Sequence, residues 1–225
     1  MGISPKVAVA VALLSVTVLV QANPQNMSEK LSALRKAAEH GDVFAQVKLG
    51  TSFYVGRDIP KDYKEAMRWW RKAAEQGNTE AQIKIGILFD EGEGVPQDYP
   101  EAARWYRKAA EQGDAWGQTL LATKYELGQG VPTDNAEAAK WYRKAAEQGD
   151  VMAQGKLALA YNDGKGVTRD YVRAHMWFDV AAAASKGEGQ KIIAEARDKI
   201  AAKMTPEQIA EAQRLAREWK PNSAK

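Results

Sequence analysis

The side chains able to carry chemistry are few. His40 and His175 are the only histidines, neither stands in a zinc spacing such as His-Glu-x-x-His, and the chain has no cysteine to supply a thiolate. No Gly-x-Ser-x-Gly or Ser-x-x-Lys sequence offers an activated nucleophile. Asp90, Glu91 and Glu93 form an acidic cluster of the kind that supplies a general acid and base. They flank a glycine-rich turn where nothing in the sequence buries a carboxylate to raise its pKa, so the cluster reads as a solvated loop. Gly92-Glu93-Gly94 invites a phosphate-loop reading, but the third glycine is missing and no strand pattern precedes it. A helix-ending turn before an extended X-Pro step fits better. No catalytic, cofactor-binding or metal-ligating residue emerges, and no enzyme is expected.

The elements that hold these residues repeat. Gly41, Gly77, Gly113 and Gly149 are 36 residues apart, and Trp69, Trp105, Trp141 and Trp177 keep the same spacing. A period of this length marks a solenoid of stacked units, each burying its apolar side on its neighbours. Four units follow, 41–76, 77–112, 113–148 and 149–184, each predicted to hold two helical segments and one tight loop. The first segment carries Ala45, Leu49 and Phe53 and their equivalents, spaced by four on one helical face. Small residues at Gly50, Gly86, Ala122 and Ala158 allow close helix approach. The second segment opens on Asp62, Asp98, Asp134 or Asp170, with Glu65, Glu101 or Glu137 three residues on, a spacing that predicts a capping box. Arg173 breaks that pattern in the fourth unit, and His175 stands where Met67, Ala103 and Ala139 do, which reads as altered packing. The stripe Ala66, Trp69, Trp70, Ala73 recurs at the i, i+3, i+4, i+7 spacing of a buried face.

The ends depart from the pattern as caps should. Residues 23–40 read as an N-terminal half-unit whose helix takes its capping positions from Asn26-Met27-Ser28-Glu29 and continues over Leu31 to Glu39, and 185–225 as capping helices near Lys191–Lys203 and from Thr205 to about Trp219. Lys6, the apolar run Val7–Val20 and the small-residue site Val20-Gln21-Ala22 predict a cleaved secretory signal over 1–22. That run is shorter than the roughly 17 to 25 residues of a transmembrane helix, so no integral membrane association is expected after cleavage. Cleavage removes Lys6 and lowers the formal net charge of +3 by one. So small an excess argues against nucleic acid as the partner. The expected location is periplasmic or secreted, and without cysteine the fold relies on helix packing.

Ala-Gln near the first helix start, Gly-x-Gly-Val-Pro-x-Asp in the loop and Ala-x-x-Trp-Tyr-Arg-Lys-Ala-Ala-Glu-Gln-Gly in the second helix resemble the Sel-one-like repeat, a relative of the tetratricopeptide repeat. The resemblance covers residues 41 to 184. Arg57-Asp58 in the first unit and the missing loop proline in the fourth depart from it. It implies an all-α, right-handed α-solenoid of antiparallel helix pairs and an adaptor that assembles or regulates other proteins, often in bacterial envelopes.

Partner contact is expected on the first helices, where positions 44, 48, 51 and 55 fall within about 60° of one another, opposite the repeating face. Across units this stripe offers Phe44, Lys48, Lys84, Ile87, Trp116, Leu120, Met152, Lys156 and Leu159. Exposed apolar and aromatic groups often anchor interfaces. The alternative is that they pack against the adjacent first helix. Arg71-Lys72, Arg107-Lys108 and Arg143-Lys144 read as a solvated face paired with Glu75, Glu111 and Glu147. The expected function is a scaffold that binds a protein or peptide and needs no cofactor. The competing readings are an envelope hydrolase, β-lactamase-like or acting on peptidoglycan, and a binding module for polysaccharide export.

Overall fold

The computed structural model describes residues 24–56 and 59–222, so the expected signal segment and the Arg57-Asp58 departure lie outside the described residues. Among the described residues are eleven α-helices and no strand: α1 (Pro24–Glu39), α2 (Val43–Val55), α3 (Tyr63–Glu75), α4 (Thr79–Glu91), α5 (Tyr99–Glu111), α6 (Ala115–Leu127), α7 (Asn135–Glu147), α8 (Val151–Asp163), α9 (Tyr171–Ala184), α10 (Gly187–Ala201) and α11 (Pro206–Glu218). Helices α2/α3, α4/α5, α6/α7 and α8/α9 pair within the four units, and each second helix also packs on the first helix that follows it. This is the α-solenoid the period implied. Helix α1 closes one end on α2, while α10 and α11 both pack on α9 at the other. Helix α1 starts at Pro24, just ahead of the cap expected at Asn26; proline suits the first turn because its missing N–H has no helical partner there.

The starts of the helices follow from side-chain chemistry. Asp42, Asn78, Asp114 and Asp150 each accept the N–H three residues ahead, at 2.7 to 2.9 Å, and so cap the first helices. Asp62, Asp98, Asp134 and Asp170 do the same for the second helices. The predicted capping box is only half made. The N–H of each of these four aspartates is already bonded to the carbonyl of Phe53, Phe89, Tyr125 or Tyr161 in the preceding helix, at 2.8 to 3.0 Å. Glu65, Glu101 and Glu137 therefore have no cap N–H to reach for, and pair instead with Arg68, Arg104 and Lys140 one turn on. The reciprocal box forms at Thr205 and Gln208, which start α11.

Leu49, Ile85, Leu121 and Leu157 are fully buried and line up through the stack with Trp70, Tyr106, Tyr142 and Phe178. Each such aliphatic side chain contributes roughly 1.5–3 kcal/mol of burial. Gly86 shows why the close-approach positions are small: a Cβ there would stand 2.5 Å from the Tyr106 ring.

A second device joins unit to unit. Gln46, Gln82, Gln118 and Gln154 are buried and donate to Ala38, Ala74, Ala110 and Ala146 carbonyls of the preceding helix at 3.1 to 3.3 Å. The first three accept in turn from Gln76, Gln112 and Gln148 at 2.8 to 2.9 Å. In the fourth unit the donor position is Ala184, and the buried Gln154 Oε1 has no hydrogen-bond partner among the described residues. At the C-terminal end, Trp219 meets Trp177 edge to face at 5.8 Å, closing the tryptophan column.

Candidate functional site

The stripe on α2, α4, α6 and α8 divides into exposed and packed positions. Phe44 is 75% exposed, Met152 51%, Leu159 46% and Trp116 38%, with Lys48 also open to solvent. Ile87 and Leu120 are half-buried and lean on the core cluster of units two to four, so they are less open to a partner than the exposed positions. Val55 and Leu127 are further exposed apolar positions at the ends of α2 and α6.

Two crevices open along the stripe. One, of about 550 Å³, brings together Phe44, Val47, Lys48, Thr51, Ser52, Val55 and Glu80 between the first and second units. The other, about 140 Å³, gathers Lys156 and Leu159 with Glu126, Tyr142 and Asp163. The lysines differ in what holds them. The Lys156 Nζ lies 2.9 Å from Glu126, and Lys84 pairs with Glu80 at 3.4 Å, whereas Lys48 has no ion pair among the described residues. The Glu126 carboxyl lies below the usual range; burial pushes it up, but hydrogen bonds from Lys156 and Tyr142 outweigh that. Burial also drives the Tyr142 phenol upward. These polar groups are spent on one another, leaving the apolar side chains as the free chemistry of the stripe.

Of the acidic cluster, Glu91 is exposed as its sequence suggested, but Asp90 and Glu93 are not simply solvated. Asp90 lies at the end of α4 and forms an ion pair with Lys124, which is buried in the next unit and also donates to Gln129 at 2.9 Å. The Tyr106 hydroxyl donates to Asp90 at 3.3 Å, and Tyr63 donates to Glu93 at 3.1 Å. These carboxylates tie repeat to repeat, a role invisible in sequence because Lys124 replaces the apolar or small Leu88 and Ala160 of its neighbours. His40 is exposed at the end of α1, its ring Nδ1 2.6 Å from the Lys36 carbonyl. His175 is buried, with Nδ1 3.0 Å from Asp179 but off the line a hydrogen bond needs. Arg197 of α10 reaches Asp179 at 3.0 Å, so this group fastens the C-terminal cap. Among the described residues no three potential ligands gather to hold a metal, and no helix is long and apolar enough to cross a membrane.

The basic pairs also have a packing role that spacing missed. Lys72, Lys108 and Lys144 lie 4.7, 4.0 and 4.1 Å from the ring centroids of Trp69, Trp105 and Trp141, rather than pairing with Glu75, Glu111 and Glu147. Arg107 and Arg143 donate to the Tyr125 and Tyr161 hydroxyls of the following unit.

Against known families, the Sel1 repeat matches four times, at residues 43–78, 79–114, 117–150 and 151–186. The chain belongs to the Sel1 repeat family. A Sel1 repeat protein from Oxalobacter formigenes is 30% identical over 94% of both chains, with a TM-score of 0.71. A protective antigen of uropathogenic Escherichia coli displaying an SLR fold is 46% identical, with a TM-score of 0.68, over 69% of this chain and 33% of that one. The chain thus matches only about a third of that antigen's length. An immunity protein from Pseudomonas aeruginosa, 20% identical with a TM-score of 0.50, shares the fold. No curated protein matches the chain. Sel1-repeat proteins generally act as protein-interaction scaffolds, which is the function class of this chain.

Proposed function

We propose that the chain is a non-enzymatic adaptor of the bacterial envelope, periplasmic or secreted, that docks a protein or peptide along the first-helix stripe. The observation that carries this reading is the row of solvent-facing apolar side chains Phe44, Trp116, Met152 and Leu159, on helices whose opposite faces are fully packed. Exposed aromatic and apolar groups on a rigid frame are suited to anchor a partner, since little ordering entropy opposes binding. The apolar run Val7–Val20 and the small-residue site ending at Ala22 support export.

Trp116 and Met152 are the anchors to remove. Trp116→Ala with Met152→Ala is expected to weaken co-purification of the native envelope partner at least about tenfold, as loss of a central anchor of about 2 kcal/mol does, with helicity unchanged. Undiminished capture by a folded double variant rejects the stripe. Fractionation of cells producing the full chain, with cleavage mapped by N-terminal sequencing, tests the location.

A further inference from the structure

A crevice opens where the fourth repeat meets the end of the third. It measures about 350 Å³ and is lined by Arg143, Tyr161, Val167, Thr168, Arg169, Asp170 and Arg173. The Tyr161 hydroxyl, on a buried ring, accepts from two guanidiniums at once, Arg143 at 3.0 Å and Arg173 at 3.2 Å. Arg169 is held at the rim by a 3.4 Å bond to the Asp163 carbonyl. Three guanidiniums therefore surround one space, opposed by the single carboxylate of Asp170, which lies 3.5 Å from Arg173 and also caps α9.

The third repeat is the internal comparison. Its corresponding residues are Arg107, Tyr125, Val131, Pro132, Thr133, Asp134 and Glu137, and the Arg107 bond to the Tyr125 hydroxyl is present at 2.7 Å. Those positions carry one guanidinium and two carboxylates. Three changes convert that arrangement: proline to Thr168, threonine to Arg169, and the repeated glutamate to Arg173. None is needed for folding, because the third repeat folds with the other residues. Each adds a donor or removes a negative charge.

We propose that this crevice is a binding site for a phosphoryl group. A guanidinium has five N–H donors in a fixed fork matched to phosphate oxygens, and the pair on Tyr161 spends one bond each there, leaving further donors. The hydroxyl of Thr168 adds one more, and the N-terminus of α9 contributes its favourable dipole. No lining residue belongs to the docking stripe, so the site stands or falls apart from the proposed function.

Calorimetric titration of the full chain at low ionic strength, with inorganic phosphate and separately with glycerol phosphate, tests this. One saturable site is expected; tighter binding of the free ion marks an inorganic phosphate site, and tighter binding of the monoester marks a phosphorylated organic ligand. Thr168→Pro, Arg169→Thr and Arg173→Glu together restore the third repeat's residues and should raise the dissociation constant by about tenfold or more. Arg107→Gln should leave binding unchanged. Absence of saturable binding at millimolar phosphate, or equal binding by the folded triple variant, overturns the proposal.

Discussion

The glutamine ladder gives the sharpest quantitative expectation, because one of its rungs is naturally incomplete. Gln118 makes two bonds, donating to the Ala110 carbonyl at 3.3 Å and accepting from Gln148 at 2.9 Å, and is 4% exposed. Gln118→Leu keeps the volume and deletes both, at a net cost of about 1 kcal/mol each, or about 2 kcal/mol in all. Gln154 occupies the same place one repeat on but makes only the bond to Ala146, with its Oε1 buried and unpaired. Gln154→Leu loses about 1 kcal/mol from that bond and regains a similar amount by removing the orphaned acceptor. Its net effect should lie near zero. Urea denaturation followed by circular dichroism, with the two variants compared at constant slope, measures the difference. Equal costs for the two variants, or a larger cost at Gln154, would refute the ladder as a source of stability.

Ala184→Gln should supply the missing donor to Gln154 and raise stability by about 1 kcal/mol, read as an increased urea midpoint. Gly86→Ala should cost about 1–3 kcal/mol, because the new methyl group must displace the buried Tyr106 ring, and thermal denaturation reports it. Burial pushes the Asp179 carboxyl up, but contacts with His175 and Arg197 together outweigh that and hold it below the usual range. A depressed folded pKa contributes stability that is present above the unfolded pKa and lost as pH falls through the folded value. The stability gap between the natural chain and Asp179→Asn should therefore narrow below about pH 4, as melting curves across pH 2 to 7 would show. Purified protein should leave a chromogenic β-lactam uncleaved; turnover that survives repurification would favour the hydrolase reading.

The period, the helix pairs and the capping aspartates of the second helices were legible because they depend on local spacing and short-range hydrogen bonding. Gly86 and the buried Leu49 series were legible for the same reason. The half-made capping boxes were not, since the competing bond from Asp62 or Asp98 runs to a carbonyl in the preceding helix. Nor were the ties from Lys124 to Asp90 and from Arg197 to Asp179, which join residues 34 and 18 positions apart. Among the stripe residues, helical angle alone could not separate Trp116 from Leu120. Their difference arises from tertiary packing: Leu120 leans on the core cluster, whereas Trp116 stays 38% exposed.

Docking along the first helices is the central claim, and crosslinking in the cells that produce the chain tests it most directly. A photoreactive residue at position 116 should yield a discrete adduct with one partner protein, lost on Met152→Ala, while the same residue at exposed Arg104 on the second helices should not. Adduct formation from position 104 but not from 116 would contradict the account.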